Sequence, residues 1–60
     1  MNFYKCYFVT RLGTYQFGRE IIEMIIIHSS DILNAAAKCR EIIDNNPDRY
    51  LFLHDIAELE

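Results

Sequence analysis

Residues 20–28 read Glu20-Ile21-Ile22-Glu23-Met24-Ile25-Ile26-Ile27-His28, and the five isoleucines of this run decide the fold class. Isoleucine branches at Cβ, so its side chain is crowded in a helix but packs well on a pleated sheet. A strand is predicted here. The residues that follow, Ser29, Ser30 and Asp31, offer side-chain oxygens to the free amides of a first helical turn, and a carboxylate to the positive end of its dipole. Beyond them Ile32, Ala35, Ala36, Cys39, Ile42 and Ile43 recur at spacings of three and four, with Asn34, Lys38 and Glu41 opposite. That is the pattern of an amphipathic helix, predicted from about Asp31 to about Asn45. Pro47 stops it, because a residue preceding proline is pushed out of the α region.

On the N-terminal side, Phe3 to Leu12 alternate: Phe3, Lys5, Tyr7, Val9 and Arg11 fall on one face and Tyr4, Cys6, Phe8, Thr10 and Leu12 on the other. This is a second strand signal, joined to the isoleucine run by a connection that holds Gly13 and Gly18. After Pro47 a third strand is predicted through about Ile56, with residues 57–60 open between strand and helix. The order strand, strand, helix, strand gives an α+β domain, ββαβ, spanning residues 1–60. Its sheet is expected to be antiparallel in the order 2-1-3, with one helix on one face; the order 3-2-1 is the alternative.

Sixty residues leave room for one small domain that buries only roughly 60% of the surface its unfolded chain exposes. Such a chain is marginal alone and is usually helped by disulfides, a metal or a partner. Two cysteines and the lack of a signal-peptide pattern point to a reducing, cytoplasmic setting rather than a disulfide framework. No apolar run approaches the roughly 20 residues of a membrane span.

The strands carry apolar residues on both faces, as a sheet does when both sides are covered. One helix covers one face only, so the other is expected to meet a protein partner or a second copy of the chain. If the helix takes the face of Ile21, Ile25 and Ile27, the candidate partner-binding residues are Tyr4, Phe8, Ile22, Met24 and Ile26. Arg11, Tyr15, Phe17 and Arg19 interleave cations and rings near the hairpin tip and complete the candidate set. Rings and arginines in that arrangement stack bases and pair phosphates, and they also anchor protein interfaces. The net charge of −3 favours the protein reading over nucleic acid.

Catalysis is not expected. His28, Ser29 and Asp31 supply the residue types of a hydrolase triad, but a triad is assembled from separate elements, and capping explains the serines and the aspartate. Cys6, Cys39, His28 and His54 lack the close pair spacing of a zinc site, so no metal or other cofactor is expected and both cysteines are read as small core residues. In length and element order, and over Lys5–Thr10, Arg19–His28 and Asp31–Ile43, the chain resembles small accessory proteins of tailed phages that bind and inhibit a host factor, including antitoxins against host RNase toxins. The resemblance is one of layout. It implies a non-enzymatic module that acts by occluding a larger partner, and it assigns no residue a role.

Overall fold

The computed structural model describes residues 2–11 and 20–59. Three strands and a helix follow in chain order: β1 (Asn2–Thr10), β2 (Ile22–Ser29), α1 (Ile32–Asn45) and β3 (Tyr50–Leu59). The sheet is antiparallel in the order β2-β1-β3, so the first strand of the chain is the central one. Residues 57–59 continue β3, and β1 ends two residues before Leu12.

The helix begins where the sequence supplies its cap. Asp31 has extended backbone (φ −155°, ψ 175°) and its Oδ1 accepts the Asn34 amide at 2.8 Å. Asn34 Nδ2 donates in turn to Ser30 Oγ at 2.8 Å. At the other end the Asn46 amide donates to Ile43 O at 3.1 Å and its side chain donates to Ile42 O at 2.8 Å, which satisfies carbonyls the helix leaves free. The amides of Arg49 and Tyr50 both donate to Asn46 O at 3.1 Å, turning the chain into β3.

Register decides which residues meet the helix. Cys6 pairs with Ile25 on one side and Ile56 on the other, and Tyr4 pairs with Ile27. Side chains of directly paired residues share a face. The core beneath α1 is therefore Tyr4, Cys6, Phe8, Ile27 and Tyr50, closed by Ala35 and Cys39 of the helix, with Ile25, Ile42, Ile43, Leu53 and Ile56 at its margin. Phe8 and Tyr50 pack with ring centroids 5.0 Å apart.

β3 departs from regular pairing twice. Tyr7 faces Asp55 while Phe8 faces Leu53, and Val9 faces Phe52 while Thr10 faces Tyr50, so His54 and Leu51 are extra residues. Each bulge reverses the alternation. Tyr50 and Leu53 thereby join the helix side, with Phe52 between them on the opposite side.

Candidate functional site

The face of the sheet turned away from α1 is formed by Phe3, Lys5, Tyr7 and Val9 of β1, Ile22, Met24, Ile26 and His28 of β2, and Phe52, Asp55, Ala57 and Leu59 of β3. Val9, on the central strand near the end of this face where β2 begins, is buried between Ile22 and Phe52. Along the face Phe3, Ile22, Met24, Ile26 and Phe52 keep 39–50% of their surface exposed. Phe3 stacks on His28 with centroids 4.4 Å apart and planes 16° from parallel. Tyr7, Ile22, His54, Asp55 and Ala57 line a depression of about 400 Å³. The bulge at His54 sets that residue beside Asp55 at the rim.

Of the expected partner-binding residues, Ile22, Met24 and Ile26 lie on this face. Tyr4 and Phe8 do not: they are 4% and 0% exposed and pack beneath the helix. The cause is the parity of the β1–β2 register. Paired residue numbers add to 31, as in Tyr7 with Met24, so odd positions of β1 share a face with even positions of β2. Grouping Tyr4 and Phe8 with Met24 needs an even sum. Phe3 and Phe52 take the places in the exposed set, and the alternation of β1, which ranks Phe3 with Tyr7 and Val9, was the available signal for the first of them.

Arg11 is held close to the body of the protein. Its amide donates to Arg49 O at 2.8 Å and its Nε donates to Pro47 O, which ties the end of β1 to the turn before β3. Tyr15, Phe17 and Arg19 lie outside the described residues.

At the end of the sheet occupied by the 46–49 turn, Glu23 reaches across Phe8 toward β3. Arg49 Nη2 donates to Glu23 Oε1 and Oε2 at 2.9 and 3.0 Å, and Tyr50 OH donates to Oε1 at 2.9 Å. Burial opposes the charge on Glu23, but the hydrogen bonds from Arg49 and Tyr50 outweigh it and hold the carboxyl below its ordinary range. Burial, followed by the hydrogen bond to Glu23, raises the Tyr50 phenol. The Arg49 guanidinium also lies 5.5 Å from the Tyr50 ring centroid. This cluster joins β2 to β3 across the central strand and is structural in character.

His28, Ser29 and Asp31 do not converge. His28 stacks on Phe3 on the open face, Ser29 is buried, and the Asp31 carboxylate is engaged by Asn34. Cys6 and Cys39 meet in the core as free thiols, and burial together with contact from Cys39 pushes the Cys6 thiol up to about 12. Among the described residues no three His, Cys, Asp or Glu side chains are grouped to hold a metal, and no helix is long and apolar enough to cross a membrane. Compared with family models, curated proteins and solved structures, the chain matches none.

Proposed function

We propose that this chain is a non-enzymatic protein-binding module of the cytoplasm whose partner lies across the open face of the sheet. One observation carries the reading: Phe3, Ile22, Met24, Ile26 and Phe52 stand exposed together on a single sheet face. Contiguous apolar surface rimmed by polar groups marks interaction sites. His28, His54 and Asp55 on the two outer strands supply polar groups at its margins, and Lys5 stands within it on the central strand. Met and Phe are residue types enriched in the centres of protein interfaces, where lysine and glutamate are depleted. The layout shared with small phage accessory proteins points the same way, toward an inhibitor that works by covering a larger protein.

A photo-crosslinking residue placed at Phe52, with a second placed at Ala37 on the outer side of the helix, tests the assignment in cells that carry the protein. Crosslinks to one discrete protein from position 52 and none from position 37 are expected. The same product from position 37 alone would overturn the choice of face. Submicromolar binding of labelled RNA or DNA, lost in Arg11→Ala, would replace the protein partner with a nucleic acid.

A further inference from the structure

We infer that the outer edge of β2 is a strand-pairing site for a second copy of this chain, giving a two-fold dimer with a continuous six-stranded sheet. The two edges of the sheet differ in their readiness to pair. In an antiparallel ladder, residues alternate between turning their backbone groups toward a neighbour and turning them away. The Thr10 amide donates to Ile21 O at 3.0 Å, so with the register of β1 and β2 the odd residues of β2 face inward. The amides and carbonyls of Ile22, Met24, Ile26 and His28 face outward, evenly spaced. Among the described residues no strand pairs with them. Among the described residues, His28 O alone of these groups is engaged, by Lys38 Nζ at 2.7 Å, which leaves that oxygen a second lone pair.

β3 is closed by comparison. Bulges at Leu51 and His54 interrupt its spacing, the Ile56 amide is taken by its neighbour Asp55 Oδ1 at 2.9 Å, and Glu58 adds a charge. These are devices that blunt edges against pairing, and β2 has no bulge, no proline and a single acidic residue, Glu23, already paired with Arg49.

A molecule with one competent edge closes on itself as a pair and stops, because the outer edges of the dimer are then both β3. The sequence of β2 suits its own reverse. Centred on Ile25, an antiparallel pair sets Met24 opposite Ile26 of the second copy and Ile22 opposite His28, so that all four outward residues find partners. The two Glu23 carboxylates then stand four residues apart along the strands, about 13 Å. The two-fold axis stands normal to the sheet, so both open faces lie on the same side and merge. The inference is independent of what covers that merged face.

Sedimentation equilibrium of the full chain tests it. A species of twice the 7.1 kDa chain mass is expected. Ile26→Pro removes an outward amide without touching the β1 ladder, a position where edge strands tolerate proline, and should return the monomer. Amide exchange on the wild type covers the case in which the proline variant fails to fold: the Met24 and Ile26 amides should become protected as concentration rises. A wild type that stays monomeric up to its solubility limit overturns the inference. So does a dimer in which those two amides exchange freely. Phe52→Glu should lose partner crosslinking while remaining dimeric, which separates failure of this inference from failure of the proposed function.

Discussion

Cys6 on the central strand and Cys39 on the helix belong to one buried core cluster, and neither residue has exposed surface. Sheet and helix are thus joined through two small polarisable groups at the middle of the core. Truncating either to alanine should cost about 1–2 kcal/mol, and the double variant less than the sum, since the two share one core cluster. Urea titration reads both values. Because the raised Cys6 pKa and the burial of both groups suppress thiolate attack, thiol reagents should label neither cysteine until the protein unfolds.

Glu23 and Tyr50 give stability two pH limits. A carboxyl held below its ordinary pKa in the folded state adds stability that is present above about 4.5 and lost as pH falls through the lowered value. The Tyr50 phenol is raised, so its contribution is intact below about 10 and lost as pH rises beyond that. Thermal melts across pH should show both declines. Tyr50→Phe should lessen the alkaline decline, to which the raised Cys6 thiol also contributes above about pH 9, weaken the acid one and cost about 1.5–3 kcal/mol at neutrality, as loss of a hydrogen bond to a charged group does.

Asp31→Ala should destabilise the protein by about 1 kcal/mol, because the Asn34 amide then loses the acceptor it now holds at 2.8 Å. Asp31→Ser should recover most of the loss. Chemical denaturation of the three proteins checks the order.

Ser29 ends β2 with its side chain buried and its Oγ without a hydrogen-bond partner among the described residues. A buried hydroxyl left unpaired carries a desolvation cost that a methyl group does not. Ser29→Ala should therefore raise stability, by up to about 1 kcal/mol. A lower urea midpoint in that variant would show that the hydroxyl is satisfied in solution.

Periodicity and capping chemistry made much of this architecture legible. The isoleucine run, the Ser29-Ser30-Asp31 cap and the Pro47 stop each act within a few residues, so local sequence contains their cause. The connections between such elements narrow the strand order to two, 2-1-3 and 3-2-1, and the sheet takes the first. The membership of the faces was harder to read. Whether Tyr4 or Phe3 shares a face with Met24 depends on one unit of register, which the β1–β2 connection sets and alternation within each strand does not. The bulges at Leu51 and His54 are equally silent: Tyr50 and Phe52 look like neighbours on one face until an extra residue separates them. Sequence alone thus set Ile22, Met24 and Ile26 of β2 together, but with Tyr4 and Phe8 rather than with Val9, Tyr7 and Lys5, the β1 residues they pair with.

The position of β1 at the centre of the sheet has a consequence for how the chain acquires its structure. Val9 pairs with Ile22, 13 residues later (22 − 9), and with Phe52, 43 residues later (52 − 9). Closing the longer loop costs about 1 kcal/mol more in chain entropy than closing the shorter one. The hairpin is accordingly the cheaper first event, and docking of the last strand completes the protein. During synthesis the first strand must wait, with one flank unpaired, for Tyr50–Leu59 to emerge. Substitutions in β3 that weaken its pairing with β1 should therefore prolong the interval in which a nascent chain is open to capture by chaperones or by other nascent copies.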